Sequence, residues 1–104
     1  MVYLLRIVPA RDGVHKYKAL FKMPDKTEGQ PNGKKQKEVK FGAVGYSDMT
    51  QHKDPKRMEA YLDRHRTNEN WNDPTSAGAL SRWILWSSTS IIGGIRNYRK
   101  HFNM

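Results

Sequence analysis

The chain has 104 residues, nineteen of them Lys or Arg and ten Asp or Glu, for a net charge of +9. That length fits one compact domain and excludes a catalytic domain joined to a regulatory one, and the charge balance calls for acidic partners. With no cysteine, a disulfide scaffold, a thiolate zinc finger and a cysteine nucleophile are excluded as well.

The apolar runs Leu4-Leu5 and Ile91-Ile92 fall far short of the roughly 20 residues that cross a bilayer, so no membrane span is expected. A hydrophobic content of 37% is thin but enough for a folded domain. At this size roughly 65% of the unfolded surface is buried, so each large apolar side chain counts.

Val2 to Val8 alternates Tyr3, Leu5 and Ile7 against Val2, Leu4, Arg6 and Val8, a strand with Tyr3, Leu5 and Ile7 as its apolar face. Asp12-Gly13 turns it into a second strand, His15 to Met23. There Tyr17, Ala19, Phe21 and Met23 oppose Lys16, Lys18 and Lys22, with Leu20 interrupting the lysine face. Pro24 to Lys35, carrying the turn pair Asn32-Gly33, reads as a long hairpin loop. Gln36 to Phe41 follows as a third strand, Lys37, Val39 and Phe41 opposite Glu38 and Lys40. Together the three form an antiparallel meander.

Residues 42–54 show neither a helical nor a strand period and read as a loop. Asp54-Pro55 is a helix start, with a carboxylate at the N-cap and proline in the first position. Met58, Tyr61, Leu62 and His65 then mark the inward face of a helix from Pro55 to about Arg66. After Asn68 to Pro74, Thr75 or Asp73 caps a second helix bearing Ala77, Leu80, Trp83 and Ile84 and ending near Trp86. A third begins at the Ser87 to Ser90 cluster and aligns Ile91, Ile95, Tyr98 and Phe102. Within it Gly93-Gly94 costs roughly 1 kcal/mol per glycine, which implies close packing or a kink. The expected fold is therefore α+β: one domain over residues 1–104, with a basic β-meander (1–41), a loop (42–54) and a helical part (55–104) of three short helices. Phe21, Val39, Phe41, Tyr61, Leu62, Leu80, Ile84, Ile95 and Phe102 are its expected core.

Charge is concentrated at the two ends, +6 in residues 1–41 and +4 in residues 74–104, with −1 between. The polyanion-binding candidates are Lys16, Lys18, Lys22, Lys34, Lys35, Lys37 and Lys40 from the meander and Arg96, Arg99 and Lys100 from the last helix. Such cations can track a phosphate backbone, although lysine rows also solvate sheets and protect their edges. A basic C-terminal turn equally suits the helix dipole. His52 and Asp54, with Asp48 and His65, can be assembled on paper into a metal site or a nuclease-like pair. Their spacing matches no standard ligand signature, however, and Asp54 is better used as a cap and His65 as a hydrogen-bonded core residue. No catalytic residue, metal or cofactor is expected. Trp71, Trp83 and Trp86 read as core and docking surface more readily than as a base-stacking platform. Trp83 and Trp86, three apart, should share a face, with Trp86 the exposed indole.

The stretch Lys40-Phe41-Gly42, Gly45-Tyr46-Ser47-Asp48, Thr50, His52-Lys53-Asp54, Arg57, Tyr61, Arg64-His65, Asn68-Glu69-Asn70-Trp71-Asn72-Asp73-Pro74, Ala77-Gly78 and Leu80-Ser81-Arg82-Trp83-Ile84-Leu85-Trp86 resembles a family of small proteins without assigned activity. That family belongs to giant and algal viruses of the large nucleocytoplasmic DNA class, with relatives in some phages. The likeness spans residues 36–102. It implies a viral protein carried in the particle, whose polar motif residues are structural and pin loops to helices. The leading expectation is thus a small, basic, non-enzymatic virion component, a minor capsid or core protein cementing larger capsid or core proteins. It would be found in the virion and, during assembly, in the host cytoplasm or nucleus. The alternative is a module binding DNA or RNA through the basic sheet face and the hairpin loop; a His/Asp nuclease stands third.

Overall fold

A computed structural model describes residues 2–23, 36–67 and 69–104. Three strands, β1 (Tyr3–Pro9), β2 (His15–Lys22) and β3 (Gln36–Ala43), form an antiparallel sheet in the order β1-β2-β3. Helices follow: α1 (Met49–His52), α2 (Pro55–His65), α3 (Ala77–Leu80), which runs directly into a π-helical turn (Ser81–Leu85), and α4 (Ile91–Phe102). The architecture is α+β, strands before helices. The hairpin loop expected between the second and third strands, including Lys34 and Lys35, lies outside the described residues.

The two-residue period of β2 places Ala19 and Phe21 fully inside, with Tyr17 half-buried beside them. In β1 the expected face is corrected. Leu4 pairs with Phe21, but Arg6 pairs with Leu20 and Ile7 with Ala19, so a bulge at Leu5 interrupts the register. The extra residue resets the alternation, turning Leu4 and Ile7 to the core side while Tyr3 (50%) and Leu5 (38%) stay exposed. The β1–β2 turn is held by Asp12, whose carboxylate accepts from the backbone N–H groups of Val14 (2.9 Å) and His15 (2.7 Å).

The core joins Leu4, Ala19, Phe21 and Phe41 of the sheet to Leu80, Ile84, Leu85 and Tyr98 of the helices. Of the expected core, Phe21, Phe41, Tyr61, Leu80 and Ile84 are buried, whereas Val39, Leu62, Ile95 and Phe102 are only half-buried. Tyr98 takes the central place instead. Its ring is fully buried and its hydroxyl donates to the Pro74 carbonyl at 2.6 Å, which satisfies the one polar atom that burial would otherwise strand.

Caps explain the helix starts. Asp54 accepts from Lys56 N–H at 3.0 Å with Pro55 in the first turn, and Ser90 accepts from Gly93 N–H at 3.0 Å. The cap of α3 is Ser76, which accepts from Ala79 N–H at 3.0 Å, rather than Thr75 or Asp73. Asp73 closes the preceding turn by accepting from Thr75 N–H. Nor are residues 42–54 all loop, because Asp48 caps the single-turn α1.

The Gly93-Gly94 pair marks close packing. A β-carbon on Gly94 would overlap the Ile84 carbonyl oxygen and lie 2.7 Å from its carbon, so α4 rests on the backbone of the π turn. That turn also separates the last two tryptophans. The Trp86 N–H donates to the Ser81 carbonyl five residues back, and the wider winding puts residues three apart on different faces. Trp83 consequently stacks on His101 of α4 (4.2 Å between centroids), and Trp86 on Tyr61 of α2 (4.2 Å, 3° between planes).

Candidate functional site

The open face of the sheet is the first candidate. Cross-strand partners share a face, so the register puts Tyr3, Arg6 and Val8 of β1, Lys18, Leu20 and Lys22 of β2 and Gln36, Glu38 and Lys40 of β3 together, opposite the face that carries the core. None of these side chains belongs to the core cluster or to the residues packed against it. The row is basic, with Glu38 as its only carboxylate. Lys18 lies 3.5 Å from Glu38, and Lys40 3.5 Å from Asp12 in the turn. Both are partly exposed pairs, worth little in water.

Lys16 is not available with the others. Its ammonium is half-buried, donating to Asp48 at 2.6 Å, to Gln51 at 3.2 Å and to the Tyr46 carbonyl. Asp48 is 2% exposed and also accepts from the Thr50 N–H (2.9 Å) and hydroxyl, so the pair ties the sheet to α1. Lys37 extends from the Val39 and Phe41 side, opposite the row. On α4, Arg99 is occupied: it donates to the Leu4 carbonyl at 3.0 Å and lies 5.7 Å from the Tyr3 ring. Arg96 and Lys100 are exposed.

A groove of about 760 Å³ between α2 and the end of the sheet is the second candidate. Arg57, Ala60, Tyr61 and Arg64 of α2 form one wall, His15, Lys40 and Phe41 the other, with Leu85 and Trp86 below. Its two carboxylates are already engaged. Asp48 holds Lys16, and Glu69 pairs with His65 Nδ1 (2.9 Å) while accepting from the Trp71 indole (3.2 Å). Arg57 and Arg64 are exposed and have no ion-pair partner among the described residues.

Four rings line up beside the groove: His65 on Tyr61 (4.4 Å), Tyr61 on Trp86, and Trp86 near His52 (5.2 Å). Burial, reinforced by Glu69, pushes the Tyr61 phenol well above its ordinary pKa. Trp86 is thus half-buried in this column and is not the exposed indole. Trp71 and Trp83 share a different partner that the sequence reading missed, Arg82, whose guanidinium lies 4.2 Å from the Trp83 ring and 5.5 Å from that of Trp71. Arg82 follows directly on Ser81 at the start of the π turn; nothing in the sequence spacing singles it out.

The four residues weighed as a nuclease or metal site are dispersed into structural contacts. Asp48 and Asp54 are caps, His65 pairs with Glu69, and His52 Nδ1 accepts from the Asp54 N–H at 2.9 Å. No group of three or more ligating side chains suited to a metal occurs among the described residues. No helix among them is long and apolar enough to cross a membrane.

A family model matches residues 5–65, and the chain belongs to this family, DUF5754, a family of unknown function. The match takes in β2, β3, α1, α2 and most of β1, with the cations of the sheet row and of α2, and ends before Glu69 and the tryptophans Trp71, Trp83 and Trp86. No curated protein and no solved structure matches the chain.

Proposed function

We propose that the protein is a non-enzymatic nucleic-acid-binding module whose contact surface is the open face of the sheet. The observation that carries this reading is the row Arg6, Lys18, Lys22 and Lys40, four cations across three adjacent strands on a face that contributes nothing to the core. With strands about 4.8 Å apart and residues about 3.3 Å apart along each, these charges cover a patch suited to several consecutive phosphates. Val8 and Leu20 between them make the surface tolerant of sugar and base edges rather than specific for sequence.

Anisotropy of a labelled DNA duplex and of a labelled single strand, titrated between low and moderate salt, tests the reading. Release of counterions from about four phosphates gives a slope of log K against log salt near −3.5. In the Lys18→Gln/Lys22→Gln variant the slope should fall in magnitude by about 2. A wild-type slope smaller than about 2, or one unchanged in the variant, rejects it.

A second reading, a minor capsid or core component of a large DNA virus that docks on bigger proteins, is supported by the resemblance of residues 36–102. It is also supported by the exposed apolar side chains of Val14 (62%), Val44 (52%) and Tyr46 (75%), the first two joined by a backbone hydrogen bond of 2.9 Å. Mass spectrometry of purified particles should find the protein at high copy; its absence removes this reading.

A further inference from the structure

The groove beside α2 differs from the open sheet face in that charge and apolar surface meet there. Arg57 and Arg64 lie on one face of α2, two turns apart, so their Cα atoms are about 10 Å apart along the helix axis. Ala60 and Tyr61 separate them, and Leu85, Trp86 and Phe41 supply apolar surface below and across. Both guanidinium groups lack an acidic partner among the described residues, while both groove carboxylates are committed elsewhere. Beside the opening stand Val14 and Tyr46, two of the most exposed apolar side chains of the chain.

We infer that this groove docks an acidic segment of a partner protein, in which two carboxylates four residues apart in extended chain, about 13 Å apart and on one face, flank an apolar side chain on that same face. The inference deepens the docking reading above by naming the partner's chemistry, and its two arginines are separate from the cation row of the sheet face, which meets the groove only at Lys40. Arginine matches carboxylate geometry with two parallel hydrogen bonds, so two unpaired arginines at fixed spacing form a ruler for two acids. The apolar floor takes the side chain between them. A nucleic-acid strand is the weaker fit, because the aromatic faces inside the groove are taken by rings of the chain itself, Tyr61 against Trp86 and His65 and Trp86 against Tyr61 and His52, which leaves only Tyr46 at the rim for a base to stack on.

The test uses the full chain and a fluorescein-labelled peptide, Gly-Ser-Asp-Ser-Leu-Ser-Asp-Ser-Gly, followed by anisotropy. The same peptide with both acids replaced by Asn serves as control. Binding should weaken about tenfold or more with the Asn peptide, and similarly in the Arg57→Gln/Arg64→Gln variant. Because both side chains are exposed, that variant should keep the wild-type circular dichroism spectrum. Ala60→Glu, which sets a negative charge in the same wall, should weaken the acidic peptide equally, whereas Lys18→Gln/Lys22→Gln on the sheet face should leave it unchanged. Failure of the acidic peptide to bind, or equal binding of both peptides, overturns the inference. So does loss of DNA binding in Arg57→Gln/Arg64→Gln together with displacement of the peptide by DNA, which would make the groove the nucleic-acid site. Detection of the protein in particles is a separate readout, so the broader docking reading can stand if this one falls.

Discussion

Helix α4 and helix α2 reach the rest of the molecule in opposite ways. Helix α4 meets the π turn backbone to backbone, with Gly94 against the Ile84 carbonyl and the hydroxyl of the buried Tyr98 spent on Pro74. Helix α2 is held at a distance by bulky or charged side chains, the Tyr61–Trp86 stack at its middle and the Glu69 carboxylate beyond its end. Glycine lets backbones close until no space remains, whereas rings and ion pairs hold elements apart and leave a groove. A helix joined through side chains can therefore present a binding surface that one joined through its backbone has used up.

Adding carbon to each junction tests that contrast most severely. Gly94→Ala forces a methyl group into backbone that cannot yield and should cost about 4 kcal/mol, above the usual range of about 1–3 kcal/mol for overpacked sites. Ala60→Leu, whose side chain would enter the open groove, should change stability by less than about 0.5 kcal/mol. Urea denaturation of both variants measures the difference, and equal losses would mean that the groove is closed in solution.

A smaller effect is expected where charge replaces close packing. Lys16→Met removes the ammonium that neutralises Asp48 at 2.6 Å and leaves a nearly buried carboxylate with only Thr50 to solvate it, a loss of about 3 kcal/mol. Pairing this change with Asp48→Asn should recover much of the loss, since the stranded charge then disappears. No recovery in the double variant would show that Lys16 acts through packing alone.

The smallest effect lies at the Asp12 turn. The His15 backbone N–H, then the His15 ring and the Val14 N–H, hold the Asp12 carboxyl far below the usual carboxylate range. A carboxyl lowered on folding stabilises the protein fully above its unfolded pKa near 4 and loses that contribution as pH falls below it. The melting temperature of the wild type should therefore fall more steeply than that of Asp12→Asn between about pH 5 and pH 2. Parallel curves would show that the turn keeps its shape without the charge.

Much of the fold is legible in local pattern. The period of two in β2 and β3, the Asp54-Pro55 start of α2, the Ser90 cap of α4 and the tight approach at Gly93-Gly94 each depend on residues a few positions apart, and short-range sterics and hydrogen bonds decide them. The single turn of α1 escaped because four residues show no period, and its cap Asp48 is recognisable only from the N–H groups it faces.

The candidate surfaces were legible only in part. Residue types and alternation determined that a basic row would line one face of a sheet and that no thiol chemistry is available. Tertiary structure decided the rest. The bulge at Leu5 turns Leu4 inward and Tyr3 and Leu5 outward while Ile7 keeps its expected inner place, because one unpaired residue shifts the alternation, a change no count along the strand reveals. Lys16 leaves the lysine row because Asp48, 32 positions away, offers a buried charge that must be neutralised. Trp83 and Trp86 part company because a π turn winds more slowly than an α-helix. Arg57 and Arg64 stand without an ion-pair partner among the described residues, over an apolar floor, because the groove carboxylates Asp48 and Glu69 are held by Lys16 and His65, and that competition is settled in space rather than along the chain.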